Sequence, residues 1–267
     1  MFGRVMLESS ALETACASIP ATEPLWAEAP LRLPLTAPEV HIFATRLDWG
    51  ASFRSLLSRD EKERANRFLF DLHRNRFIAG RAFLRTVLGR YLDFNPAKLR
   101  FSYSPEGKPA LDEPFKHSDI RFNLAHSEDL ALVAVSRAGE IGVDVEHIRP
   151  IPEADELVAR FFSNRESYLF DRLPDDLKPG AFFNLWTRKE AWLKATGEGI
   201  AHSLRLVEVS FLPHEPARLL SLPGSGQQTG RWTLRELHPA PGFTAAIAVA
   251  SFPIRVRTFS WPTQAEL

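Results

Sequence analysis

The apolar positions of this chain change period as the sequence advances, and each change marks an element. The run EVHIFATRL is rich in apolar and β-branched residues and predicts a first strand from Val40 to about Leu47. SRDEKERANRFLF opens with Ser58 and places Glu61 three positions on, the capping-box signature of a helix start. In NRFIAGRAFLRTVLGRYL, Phe77, Leu84, Leu88 and Tyr91 recur near helical spacing among Arg76, Arg81, Arg85 and Arg90, which predicts a second, longer helix. Short strands are predicted at LRFSYS, IRFNLAH and LALVAVS. The turn RAGE then leads into IGVDVEHI, so these last two strands are expected to pair as a hairpin.

A similar order follows in the second half. PEADELVARFF reads as a helix, and SNRESYLF starts another with a second capping box, Ser163 and Glu166. PGAFFNLWTRKEAWLKATGEG predicts a long helix ended by Gly197 and Gly199. Strands are predicted at LRLVEVSFL, RWTLREL and FTAAIAVASF. The pattern is that of an α+β fold of two similar halves, residues 39–138 and 139–260, with no visible sequence repeat beneath it. In residues 1–38, Pro20, Pro24, Pro30, Pro34 and Pro38 prevent a long helix or a central strand, so a surface-draped extension is expected there.

Composition narrows the function classes. The 267 residues, 45% hydrophobic and 25% charged, have the balance of a soluble globular protein with room for a sizeable core. Lys plus Arg equals Asp plus Glu at 33 each, so there is no chain-wide basic field for nucleic acid and any anion site must be local. Cys16 stands alone, which excludes an internal disulfide and a multi-cysteine zinc site and fits a reducing compartment. No apolar run approaches the ~20 residues of a membrane span, and no secretory signal opens the chain. Cytoplasm is the expected location.

Candidate chemistry begins in IGVDVEHIRP. Asp144 and Glu146 stand two positions apart, so in a strand they share a face. Like charges that close repel, and burial beside Ile141, Val143 and Val145 raises the cost. Either that face is solvated or a cation sits against it. Carboxylate oxygens suit magnesium, which leaves its other positions to phosphate oxygens and water. In LWTRKEAWLKATGEG, Glu190 and Lys194 have the i,i+4 spacing of a plain surface ion pair. With Lys189 they also set one carboxylate between two ammonium groups, which suits a metal-bridged polyphosphate. His126 lies in FNLAHS, expected just after a strand, either as a structural hydrogen-bonder or as a phosphate contact, with Asn123 organising the loop. Gly107, Lys108 and Pro109 in SPEGKPAL read as a turn that also admits close backbone approach to a ligand and offers one point charge. Lys62, Arg64 and Arg67 give the first helix a basic stripe, the usual mark of a solvated face.

Taken in order, GKPAL, FNLAHS, IGVDVEHI, RFFSNRE and LWTRKEAWLKATGEG resemble the Sfp-type 4′-phosphopantetheinyl transferases of the W-x-x-KEA subgroup, over about residues 58–200. The resemblance implies a pseudo-dimer of two α+β halves with coenzyme A in the cleft between them. It implies a magnesium-dependent transfer of the phosphopantetheine arm of coenzyme A to a serine of an apo acyl or peptidyl carrier protein, leaving adenosine 3′,5′-bisphosphate. Carried over by motif, Asp144, Glu146 and Glu190 hold the metal, and Glu190 and Lys194 are the catalytic pair. Arg64, Gly107, Lys108, Pro109, Asn123, His126 and Lys189 are then the coenzyme A contacts.

Two positions depart from the family pattern. Ala125 stands where many relatives have serine, so one phosphate contact is expected to be lost or supplied by backbone. Glu61 stands where some relatives place lysine. A built-in pseudo-dimer leads us to expect a monomer. The competing classes are a coenzyme A binder without turnover and an unrelated metal-dependent phosphohydrolase.

Overall fold

A computed structural model of the chain describes residues 26–30, 34–197, 204–223 and 229–261. In the first half, β1 (Glu39–Arg46) is followed by α1 (Arg59–Ala65), α2 (Asp71–Leu92), the hairpin β2 (Phe101–Tyr103) and β3 (Pro109–Leu111), then β4 (Arg121–Ser127) and β5 (Leu130–Ser136). In the second, β6 (Ile141–His147) is followed by α3 (Ala154–Phe161), α4 (Asn164–Phe170), α5 (Lys178–Thr196), the hairpin β7 (Glu208–Val209) and β8 (Leu219–Ser221), then β9 (Thr233–Leu237) and β10 (Phe243–Val249). A last strand, β11 (Arg255–Ser260), closes the described chain.

The strands wind identically in the two halves. β1, β5 and β4 lie side by side and antiparallel, and so do β6, β10 and β9. β5 is apolar at nearly every position because both its faces are covered. Ala131, Val133 and Val135 pack with Ile78, Ala82, Phe83 and Val87 of α2. Leu130, Leu132 and Ala134 face the other way, against Val143, Val145 and Ile247 of the second sheet. In that second sheet Ala246 and Ala248 turn outward to α5. The result is four layers, helix, sheet, sheet and helix, and the α+β expectation holds.

Three details differ from the sequence reading. The expected hairpin of β5 with β6 does not form, because β1 and β4 already occupy both edges of β5; the hairpin is β4 with β5, and β6 pairs with β10. β11 lies within the stretch assigned to the second half but pairs parallel with β1 at the edge of the first sheet. The strand expected over LRLVEVSFL is short, ending in a register shift at Glu208 and Val209. Of the N-terminal extension, Glu28 bridges to Ser260 along β11, and Ala29 and Leu35 are buried; residues 1–25 and 31–33 lie outside the described residues, as does Gly199.

The two capping boxes form as predicted, and each does more than start a helix. Glu61 accepts from the Ser58 amide at 2.9 Å and from Arg81 and Arg85 of α2 at 2.6 and 2.7 Å, all three side chains buried. Arg85 goes on to the Pro96 and Leu99 carbonyls, both at 2.9 Å. Glu166 repeats the arrangement: it accepts from the Ser163 amide at 3.0 Å, from Lys189 of α5 at 2.5 Å and from the Val209 amide at 3.0 Å. Lys189 also reaches the Leu204 carbonyl at 2.7 Å. In each half one carboxylate thus joins a short helix, the long helix and the approach to the hairpin. Glu61 is accordingly part of this scaffold, which explains an acid at that position.

Candidate active site

The site lies where β6 meets α5. Gly142 sets how close they come, since a Cβ there would overlap the Ala191 carbonyl oxygen and the Ala195 amide nitrogen of α5. The helix therefore lies directly on the strand, and the next two side chains on that face of β6, Asp144 and Glu146, point at it. From α5, Glu190 and Lys194 project into the same junction, one helical turn apart. The helix stops at Gly197, as predicted.

These groups share few neutralising partners. Lys194 Nζ donates to Asp144 Oδ1 at 2.5 Å. The other oxygen, Asp144 Oδ2, and Glu190 Oε1 are buried with no hydrogen-bond partner among the described residues. Glu146 Oε2 accepts from Ser127 Oγ at 2.7 Å and lies 3.8 Å from Arg149. Burial raises the pKa of Asp144, against the pull of Lys194. Burial, then the Asp144 charge, pushes both Glu146 and Glu190 up to about 7. Burial works to lower the Lys194 pKa, but Asp144 and Glu190 outweigh it and hold the ammonium above its ordinary value. The junction is a buried acidic cluster short of positive charge.

The first half supplies the opposite wall. Ser127 and Asn123 on β4 touch β6 directly, Asn123 Oδ1 accepting from the Val143 amide at 2.9 Å. Lys108, from the β2–β3 turn, donates to the Ala195 carbonyl at 2.7 Å and to Glu140 at 3.2 Å, so it caps the end of α5 nearest Lys194. Gly107 has φ 86° in that turn and stands clear of neighbours, while Pro109 opens β3. His126 is exposed on the face of β4 opposite Ser127. Arg64 is exposed on α1, its guanidinium 5.4 Å from the centre of the Phe77 ring.

Several expected coenzyme A contacts are therefore relocated. Lys189 is 0% exposed with Glu166 and Leu204 as partners, so it belongs to the scaffold and not to the ligand set. Asn123 is buried, and its carbonyl oxygen joins the two sheets. Ala125 is buried in the core between the sheets, where a serine would face protein and not ligand. Ser127 and Gly142, which sequence patterns alone do not single out, lie in FNLAHS and IGVDVEHI, where the available signal is a hydroxyl and a missing Cβ beside the acids. Among the described residues no group of three or more His, Cys, Asp or Glu side chains is already gathered closely enough to hold a metal ion. None of the described helices is long and apolar enough to cross a membrane.

The site is thus a buried carboxylate cluster beside one lysine in a mixed α+β chain, walled by the other α+β half. Residues 140–250 match the family described as the 4'-phosphopantetheinyl transferase superfamily, and residues 44–138 match the one described as 4'-phosphopantetheinyl transferase, N-terminal. The chain is 45% identical over 231 residues to the 4'-phosphopantetheinyl transferase HetI of Nostoc sp., covering 85% of this chain and 94% of that protein. It is 29% identical over 213 residues to the 4'-phosphopantetheinyl transferase Sfp of Bacillus subtilis, covering 78% and 90%. The chain belongs to the 4'-phosphopantetheinyl transferase superfamily and is an enzyme of that kind.

Proposed function

We propose that the chain transfers the 4′-phosphopantetheine arm of coenzyme A to a serine hydroxyl of an apo acyl or peptidyl carrier protein, with magnesium, releasing adenosine 3′,5′-bisphosphate. The observation that carries this reading is the β6–α5 junction, where Asp144, Glu146 and Glu190 meet one ammonium, Lys194. Two buried carboxylate oxygens there, Asp144 Oδ2 and Glu190 Oε1, lack partners among the described residues, and hard oxygen donors of this kind fit magnesium. Asp144, Glu146 and Glu190 would hold the ion. Bound there it would offset pyrophosphate charge and polarise the attacked phosphorus.

The chain's own residues account for the remaining requirements. The serine oxygen forms a bond to the phosphorus that carries the pantetheine, and the bond from that phosphorus to the bridging oxygen breaks. Glu190, one helical turn from Lys194 in the same junction, takes the serine proton directly or through water. Lys194, about a third exposed, supplies positive charge to the departing phosphate. Lys108, His126 and Arg64 are the proposed phosphate contacts, with Gly107 and Pro109 bordering the adenine. Both halves of the cleft lie in one chain, so a monomer suffices to build it.

Incubation of the purified protein with coenzyme A, magnesium and a panel of apo carriers tests the reading by intact mass. A carrier heavier by one phosphopantetheinyl group supports it. Coenzyme A binding with no carrier modified would leave a binder without turnover, and phosphate or phosphopantetheine released without any carrier would point to a hydrolase.

A further inference from the structure

Ser127 ends β4 at the seam between the halves. Its hydroxyl donates to Glu146 Oε2 at 2.7 Å and accepts from the His147 amide at 3.2 Å. Four residues earlier on the same face of β4, Asn123 accepts from the Val143 amide. β6 is the outer strand of its sheet, with β10 on its inner edge. Its free amides at residues 143 and 147 are thus met by side chains from the other half, on either side of Asp144 and Glu146.

This geometry fixes more than the strand. A serine hydroxyl carries one proton, and the His147 amide engages a lone pair of its oxygen, so the backbone limits where the O–H can point. The O–H points at Glu146 Oε2. Glu146 has a long side chain that is 25% exposed, and the neighbouring cation, Arg149, is only 3.8 Å away. Without Ser127 that arginine would draw the carboxylate outward, away from Asp144 and Glu190. We infer that Ser127 is a positioning residue which, from the first half of the chain, holds Glu146 in register with Asp144 and Glu190 of the second. The inference rests on the proposed magnesium role of those acids, and it adds a contact across the halves on which that role depends.

The test is magnesium titration of the enzyme–coenzyme A complex by calorimetry, with no carrier present, for wild type, Ser127→Ala and Ser127→Thr. Loss of an outer partner of this kind weakens metal affinity by about 10–100-fold. Ser127→Ala is expected to fall in that range with coenzyme A affinity unchanged in the absence of metal, and Ser127→Thr, which keeps the hydroxyl, to recover most of it. In a Glu146→Gln background Ser127→Ala should add little, since its effect runs through that carboxylate. Wild-type affinity in Ser127→Ala, equal loss in the Thr and Ala variants, or full additivity with Glu146→Gln would overturn the inference, as would a wild-type complex that binds no magnesium. Should Ser127→Ala not fold, Ser127→Cys takes its place in the same comparison. The titration uses no carrier, so a failure to modify carriers would count against the transferase reading and leave this result standing.

Discussion

The two halves share one winding and one scaffold but differ in what they place between sheet and helix. Matching Leu130 of β5 to Phe243 of β10 sets His41, Phe43 and Thr45 of β1 opposite Gly142, Asp144 and Glu146 of β6. The first half fills its space: His41 bonds Tyr91 of α2 at 2.6 Å, and Phe43 stacks on Phe259 of β11 with ring centres 5.3 Å apart. The second half removes a side chain at Gly142, brings α5 onto the strand and buries acids in the gap. The outer edges differ too. That of β1 is paired along its length by β11, whereas that of β6 is met by the side chains of Asn123 and Ser127. One half is a closed aromatic core and the other keeps a charged seam, so under the proposed function the same framework serves stability on one side and chemistry on the other.

The largest effect expected from this contrast is on turnover. Glu190→Gln should lower transfer by about 10²–10⁴-fold, the range of a lost general base, while the melting temperature holds or rises as a buried charge is removed. Steady-state kinetics beside a thermal melt checks both. Next come the two scaffold acids. Glu61→Ala and Glu166→Ala each strand buried cations, Arg81 and Arg85 or Lys189, and should each cost about 3–5 kcal/mol in denaturant unfolding. A loss in only one half would break the equivalence.

Gly142→Ala sharpens the comparison further. The added methyl meets backbone of α5, so about 1–3 kcal/mol of stability should be lost to overpacking, and transfer should fall as Glu190 and Lys194 shift. His41→Ala at the matching position should cost stability with kcat unchanged. The smallest effect is on pH. Burial opposes ionisation of Glu61, but Arg81 and Arg85 hold its pKa below the ordinary 4.5, so its contribution is present above that value and lost as pH falls. Glu146 and Glu190, raised to about 7, act in the other direction. Between their ordinary 4.5 and about 7 the folded chain keeps protons the unfolded chain has released, so stability falls as pH rises through that window and levels above it. Magnesium should therefore raise the melting temperature more at about pH 8 than at about pH 5.

Much of this was legible in the sequence, for local reasons. Period and capping boxes locate the long helices and most strands; the Asp144, Glu146, Glu190 and Lys194 set stands out only through the ordered motifs of the family resemblance, since each pair alone also reads as a solvated face or a surface ion pair. What escaped depended on contacts far apart in sequence. Nothing local says that β5 already has neighbours on both edges, so its adjacency to β6 suggested a hairpin. Lys189 looked like a ligand because it precedes Glu190; only its burial against Glu166 shows otherwise. A signal existed there, since Glu166 to Lys189 spans 23 residues and Glu61 to Arg85 spans 24. Two capping boxes, each followed at that distance by a cation in a long helix, mark a scaffold repeated in both halves.

The most direct test of the account replaces Asp144, which carries the acid where β1 has Phe43. Intact-mass analysis of an apo carrier incubated with coenzyme A, saturating magnesium and the Asp144→Ala enzyme should show no phosphopantetheinyl group added, with the variant still cooperatively folded. A carrier modified at close to the wild-type rate would contradict the assignment of this junction as the transfer site.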